Sequence, residues 1–431
     1  MKVEPRVLSG FKDRLPNESI QKNKMLEILK NIFESFGFLP IETPHIEYAD
    51  ILLSNVTDEN KKEIYKFSDH GNREVALRFD QTIPLARFIA QHKEKLGLPF
   101  KRYVMGNVFR GERAQKGRYR EFMQCDFDFV GSRSLNCDAE IIQVIYHALK
   151  ALGCGDFTIF INHRKVLEGI CKYFKIQNID ETLRIIDKLE KIGEYEVEAK
   201  LRQITPNAKE LISIINMKQT SGDKEFFTSI QYLKKWNEEL KQGIEELEYI
   251  YKILSNLIDE NAYKINFAIA RGLAYYTGIV YESVLDSFNI GSVCSGGRYD
   301  NLASNFCDEN ISGVGASIGI DRLLSVIDLN LERKEGLIIC LENRFFAFAY
   351  EIASFLRERG LKIEVFPEAK KLKKQLSYAN ARGYRFVLII GEEEFQNEKI
   401  TLKDLDSSIQ KNNIDINEVL NLINNEKNNI R

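Results

Sequence analysis

The sequence predicts an α+β protein: an antiparallel-sheet core interrupted by a helical insertion, followed by a separate α/β domain at the carboxyl end. Three observations carry this. In the first third, "FKRYVMGNVFRGE" and "YREFMQCDFDFVG" bracket a short polar tip at Lys116–Gly117–Arg118, the pattern of an antiparallel hairpin. From roughly 166 to 258 the chain changes to long charged stretches of helical period, such as "FTSIQYLKKWNEELKQGIEELEYIYKIL". After the polar stretch "LNLERKEG", strands alternate with helices, which predicts a small, mostly parallel sheet covered by helices.

The elements follow in order. "SGFKDRLPNES" is a turn-rich lead into a helix in which Met25, Leu26, Leu29, Ile32, Phe33 and Phe36 recur at helical spacing, with Gly37 as its stop. In "FLPIETPHIEYADIL", Pro40 and Pro44 predict an extended segment at an edge or interface, because proline donates no ladder hydrogen bond. "REVALRFDQTIPLARFIAQH" reads as a strand entering a helix and places Arg78, Asp80 and Thr82 on one polar strand face. The hairpin comes next, then a helix at about 138–151. Strand character returns at "YKINFAIARGLAYYTGIVYESVL", ahead of the glycine-rich "GSVCSGGRYDNL" and "SGVGASIGIDRLLSVI". At the carboxyl end "LIICL", "LKIEVF" and "RFVLIIG" are strands, and "RFFAFAYEIASFLRERG" and "KKLKKQLSYANARG" are helices. The expected domains are a core over 1–165, the helical insertion over 166–260, the core continued over 261–328, and a carboxyl-terminal domain over 335–431.

Composition excludes several classes. A net charge of −2 rules out gripping nucleic acid through bulk charge, so any such contact depends on local basic patches. The seven cysteines are odd in number and form no CxxC pair, and the five histidines show no ligand spacing. Neither a disulfide framework nor a metal site is predicted. Free thiols, with no signal peptide and no long apolar run, predict a cytoplasmic protein without a membrane segment.

Chemistry concentrates in the hairpin. Side chains alternate across a strand, so Gln124, Asp126 and Asp128 share one face, while Met123, Cys125, Phe127 and Phe129 share the other. On the first strand Val108, Arg110 and Glu112 share parity. A solvated surface is the simple explanation of one such face. Further polar groups recur elsewhere: Arg78, Asp80 and Thr82; Arg271 beside Tyr275 and Tyr276; and Arg322 after glycines 315 and 319. Several arginines, carboxylates and close-approach glycines suit a ligand that is both anionic and amine-bearing.

These segments resemble a known family. Arg110-x-Glu112 with its loop and following strand is similar to motif 2 of class II aminoacyl-tRNA synthetases. "GVGASIGIDRLL" is similar to motif 3, and the helix–strand–Pro44 segment to motif 1. "ARGLAYYTGIVYE" resembles the histidine-specific signature of the histidyl-tRNA synthetase family. "LRFDQTIPLARF" and "QCDFDFVG" resemble the form found in its eukaryotic and archaeal-like branch. The resemblance spans essentially the whole chain, including "KKLKKQLSYANARGYRFVLIIGEEE".

The resemblance implies a class II synthetase antiparallel-sheet catalytic core with a helical insertion, plus a carboxyl-terminal α/β anticodon-binding domain. It implies ATP-dependent activation of L-histidine to histidyl-adenylate, followed by transfer of histidine to the 3′ end of tRNA(His), with Mg²⁺ on the phosphates. For ATP it assigns Arg110 to the α-phosphate, Glu112 to the adenine end, Arg118 to the outer phosphates, and Arg322 to the adenine and γ-phosphate. For histidine it assigns Asp80, Asp128 and Thr82 to the α-amino group, Gln124 to the carboxylate and amino end, and Tyr275 and Tyr276 to the imidazole. Arg271 faces the α-phosphate opposite Arg110 and, with it, forms the catalytic pair. Arg113, Gln115 and Lys116 are either a solvated turn or the contact for the tRNA acceptor end. Lys370, Lys371, Lys373 and Lys374 are either a solvated helix face or a contact for RNA phosphates. A homodimer through the catalytic core, with motif 1 at its interface, is also implied.

One position departs from the pattern: Ala274 stands where the signature usually has an aspartate. That feature alone favours a competing group, the synthetase-like regulatory subunits of ATP phosphoribosyltransferase. Those subunits usually lack the carboxyl-terminal domain and tend to lose parts of the arginine set, whereas Arg110, Arg271 and Arg322 all stand here.

Overall fold

The computed structural model describes residues 2–54, 61–113, 118–220, 225–270, 276–301, 303–329 and 334–428. The chain divides into two compact units, 1–329 and 330–431.

The first unit is built on a helix, Pro16–Ser35, with proline in its first turn, where the missing N–H costs nothing. Met25, Leu29 and Phe33, four residues apart, form its buried stripe. The strands that follow are β1 (Leu39–Pro40), β2 (Ile46–Tyr48), β3 (Lys66–Ser68), β4 (Glu74–Leu77), β5 (Phe100–Phe109), β6 (Glu121–Val130), β7 (Phe157–His163), β8 (Tyr263–Ile265), β9 (Ile279–Leu285), β10 (Cys294–Tyr299) and β11 (Gly313–Gly319). Eight of them form one sheet in the order β1-β5-β6-β11-β10-β9-β7-β8. Only its two outermost pairings, β1 with β5 and β7 with β8, are parallel. β2, β4 and β3 form a separate three-stranded antiparallel sheet.

Register sorts the large sheet into two faces. On the back face Cys125 and Phe127 are fully buried, with the ring of Phe33 of the first helix packed at a tilt, 4.8 Å from that of Phe127. A second back-face helix, Leu135–Ala151, is started by the Ser134 hydroxyl and carries a nearly continuous apolar surface. Its buried Asp138 accepts from Arg298 Nε at 2.9 Å, and the same arginine donates to the Ser312 hydroxyl at 2.8 Å. That pair fixes β10 to the helix behind it.

The front face is polar and glycine-rich. Arg102, Asp128, Gly315 and Gly297 lie in one cross-strand row, and Val104, Asp126, Ser317, Ser295 and Glu282 in the next. Gly315 is required there: a Cβ at that position would overlap Asp128 Oδ1.

The stretch between β7 and β8 is helical. It includes Ile179–Ile186, Leu189–Ile192, Glu194–Leu201, Ala208–Ile215 and Glu238–Leu254, whose buried residues join the core of the sheet.

One sequence expectation is corrected here. Arg78, Asp80 and Thr82 do not share a strand face, because β4 ends at Leu77 and Thr82 begins a helix, Thr82–Leu96. Asp80 Oδ1 accepts from the Ile83 N–H at 3.2 Å, which satisfies an orphan donor of the helix start. Arg78 turns inward, 2% exposed, and donates to the carbonyls of Thr43 and Asn107 at 2.8 Å each.

The second unit contains β12 (Lys334–Cys340), β13 (Ile363–Val365), β14 (Tyr384–Ile390), β15 (Ile400–Asp404) and β16 (Gln410–Ile414), in the order β13-β12-β14-β15-β16. β12 runs parallel to β13 and β14, whereas β14–β15 and β15–β16 are antiparallel. The sheet is therefore mixed, not mostly parallel. Alternate residues of β12 enter different clusters, Ile338 and Cys340 in one, Leu337 and Ile339 in the other, so both faces are covered.

Candidate active site

A cavity of about 440 Å³ opens on the front face of the large sheet, where the hairpin meets β10 and β11. Arg110, Glu112, Arg118, Gln124 and Arg322 all line it. Arg110 continues the β5–β6 ladder by one rung, its N–H donating to the Arg120 carbonyl at 2.8 Å. Its Nε donates to the Phe79 carbonyl at 2.9 Å, and its guanidinium lies 5.0 Å from the Phe122 ring centroid. One face of the group is thus fixed and the other is offered to the cavity. Arg118 pairs with Glu112 across the base of the hairpin tip. Gln124 Nε2 donates to the Ser317 hydroxyl at 3.0 Å, while its Oε1 is buried with no partner among the described residues.

The start of the short helix Ile320–Leu323 closes one end of the cavity. Asp321 accepts from the Met123 N–H at 2.9 Å and pairs with Arg14, so the amino-terminal segment and β6 are clamped together there. Arg322 Nη1 donates to the Ser292 carbonyl. Ordinary helix-to-sheet contacts thus place a guanidinium on the cavity wall.

An acidic cluster lies farther along the same face. Asp128 is buried, paired with Arg102 at 2.6 Å, and accepts from the Tyr299 hydroxyl. Burial pushes its carboxyl upward, and Arg102 opposes that rise. Asp126, one row away, is pushed up to about 7 by burial; Arg102 pulls it down, while Asp128 and Asp80 push it up. Its Oδ1 has no hydrogen-bond partner among the described residues. The Asp80 carboxyl is also raised by burial, against the helix-start N–H and the charge of Arg110. The Tyr276 phenol is raised by burial and then by the charges of Asp128 and Asp126. Arg102 acts on all three carboxyls, Arg78 also on Asp126 and Arg110 on Asp80, yet burial still raises each of them, so the cluster favours a cationic group.

The fold brings Arg110, Glu112, Arg118, Gln124 and Arg322 to one cavity, and gathers Asp80, Asp128 and Tyr276 in the acidic cluster beside it. Thr82 sits two residues from Asp80, at the first position of its helix. Arg113 is exposed where the hairpin tip begins. Arg271, Ala274 and Tyr275 lie outside the described residues, as do Gln115 and Lys116.

Two site residues were missed in the sequence. Asp126 had a signal, since it shares strand parity with Gln124 and Asp128. Arg102 had none, because only the register places it opposite Asp128. No group of three His, Cys, Asp or Glu side chains is placed to hold a metal among the described residues. No helix among them is long and apolar enough to cross a membrane. All seven cysteines are free.

Comparison with known proteins gives a consistent picture. The family model for histidyl-tRNA synthetase matches residues 10–323, and that for an anticodon binding domain matches 336–426. The histidine–tRNA ligase of Helicobacter pylori (strain P12) is 55% identical, over 98% of each chain. Among solved structures, histidyl-tRNA synthetase from Nostoc sp. PCC 7120 is 36% identical with a TM-score of 0.85, covering 95% of this chain and 97% of its own. An ATP phosphoribosyltransferase regulatory subunit/histidyl-tRNA synthetase from Bacillus halodurans is 22% identical with a TM-score of 0.74, covering 90% of this chain and 99% of its own, a likeness of fold alone. With a family model spanning most of its length and a near-full-length relative at this identity, the chain belongs to the histidyl-tRNA synthetase family.

Proposed function

We propose that the protein is a histidine–tRNA ligase, which activates L-histidine with ATP and transfers it to the 3′ end of tRNA(His). The observation that carries the reading is the pairing, on one sheet face, of an arginine-lined cavity with a buried acidic cluster. A polyanionic nucleotide suits the first and the ammonium of an amino acid suits the second, which sets the two reactants side by side.

In this reading Asp80, Asp126 and Asp128 face the α-ammonium, with Thr82 beside Asp80. Gln124 turns its free Oε1 toward the amino end of the substrate, and Tyr275 and Tyr276 wall the imidazole. The substrate carboxylate is already an anion, so it attacks the α-phosphorus without a protein base. Charge builds on the equatorial phosphate oxygens, where Arg110 and Arg271 stabilise it from two sides. Glu112 meets the adenine end, while Arg118 and Arg322 meet the phosphates as pyrophosphate leaves. In the second step the terminal ribose 3′-hydroxyl of tRNA attacks the carbonyl carbon of the adenylate, an ester forms and AMP departs.

Mg²⁺ enters as part of the ATP substrate. Glu112 and Asp321, the hairpin and helix carboxylates of the cavity, are engaged by Arg118 and Arg14. Phosphate oxygens and water would therefore supply most of the coordination, as is usual for this ion. Arg113, Gln115 and Lys116 would receive the tRNA acceptor end, and the carboxyl-terminal unit the anticodon loop. The site of action is the cytoplasm, which seven unpaired thiols suit. The functional domains run 1–165, 166–260, 261–328 and 335–431. The active species is a homodimer through the catalytic core.

The test is ATP–pyrophosphate exchange with each amino acid, followed by aminoacylation of total tRNA. Exchange is expected with histidine alone. It is expected to drop by about 10²–10³ in Arg110→Ala and to collapse in Arg271→Ala. Full exchange in the Arg271 variant would remove that residue from the mechanism. An intact protein with no histidine-dependent exchange would instead support a regulatory subunit.

A further inference from the structure

We infer that Lys191, carried by the helical insertion, is a nucleotide-binding residue whose ammonium meets the β- and γ-phosphates of ATP and then the departing pyrophosphate. This rests on reading the 440 Å³ cavity as the ATP site.

Most of that cavity is walled by the catalytic sheet, its hairpin and the helix after β11. Asp187, just after helix Ile179–Ile186, and Lys191, in helix Leu189–Ile192, complete it from the insertion. The same segment lines a second, smaller cavity, where Ile186, Asp187 and Lys191 face Ala268, Ala270 and Glu282. Residues 186–191 therefore stand between the nucleotide cavity and the stretch that leads into the histidine signature. The insertion is thus part of the wall of the site.

Charge accounting singles out the lysine. Arg118 is engaged by Glu112, and Asp321 is neutralised by Arg14. Lys191 is exposed and forms no ion pair among the described residues, although it lines a cavity that holds carboxylates. A flexible stem ending in a point charge can follow phosphates that move as the α–β bond breaks, which a planar guanidinium anchored by its neighbours cannot do. Arg110 is such an anchored group, fixed on the Phe79 carbonyl and the Phe122 ring.

The test uses the full-length protein and steady-state ATP–pyrophosphate exchange, with Lys191→Ala, Lys191→Glu and Lys191→Arg. The alanine and glutamate variants are expected to raise the KM for both ATP and pyrophosphate about tenfold or more, the usual weight of a charged hydrogen bond. The KM for histidine stays at the wild-type value, and arginine restores most of the affinity. Unchanged nucleotide and pyrophosphate KM values in Lys191→Glu overturn the inference. So does an equal rise for histidine, which marks a structural role, or a rise only for tRNA in aminoacylation, which assigns the lysine to the acceptor end. A wild-type protein without histidine-dependent exchange is a separate outcome and removes the function itself.

Discussion

Asp126 shows how a single side chain is set by its surroundings. Its carboxyl titrates near 7 because it is buried and faces Asp128 and Asp80, with Arg102 offsetting only part of that effect. A folded-state value above the unfolded one means that the folded protein binds the extra proton. The associated stability is fully present below about pH 4 and is lost as pH rises through about 7. Asp126→Asn removes this dependence. The variant is expected to gain thermal stability over wild type by several degrees at pH 8, with little difference at pH 4. Equal gains at both values, measured by scanning calorimetry, would show that the carboxyl ionises without cost. At pH 8 the same change is expected to weaken histidine binding, since an ionised carboxylate facing the ammonium is lost. What the sequence reveals at this scale is uneven. Alternation in "QCDFDFVG" places Asp126 and Asp128 together, but nothing local marks Arg102, or shows that Arg78 is spent on backbone carbonyls.

Among the elements, those with a strong local pattern were legible: the helix 16–35, the hairpin, and β12 to β14 with their helices. β15 and β16 were not, because "ITLKD" and "QKNNI" are too polar to look like strands and exist through pairing, β15 with β14 and β16 with β15. Arg78 to Thr82 misled for a different reason: the strand pattern stops at Leu77, and the start of a helix claims the carboxylate. Pro40 does mark an edge, since β1 ends the large sheet, whereas Pro44 lies in the connection between β1 and β2. The nearby three-stranded sheet exposes Ile46 (48%), Tyr48 (50%) and Phe67 (44%), with Tyr48 and Phe67 in one cross-strand row through Val75. A contiguous apolar face of this kind suits a protein partner, and the proposed dimer supplies one. The wild-type protein is expected to sediment as a dimer at micromolar concentration, and Ile46→Asp/Tyr48→Asp as a monomer. A monomeric wild type would exclude the dimer.

For the whole molecule, the two units have separate hydrophobic clusters, so neither needs the other to bury its core. A chain ending at residue 329 is expected to keep histidine-dependent exchange within about threefold, while losing most tRNA charging through a higher tRNA KM. That loss reflects one missing RNA-binding module. Loss of exchange in a truncated protein with native circular dichroism would tie the second unit to the chemistry. The broad architecture was legible because each unit has its own rhythm of strands and helices. The strand order of the large sheet was not, because it depends on which distant segments pair. That order has a consequence for synthesis. β11 is the last strand of its sheet to be made, yet it sits in the middle, between β6 and β10. Until Gly319 leaves the ribosome, the inner edge of β6 has no partner. At about 5–20 residues per second, the stretch from Val130 to Gly313 takes on the order of 10–40 s to make. During that interval the nascent chain carries an open strand edge, the feature most prone to pair with the wrong neighbour. The catalytic face is then completed in one late event that joins both halves of the sheet.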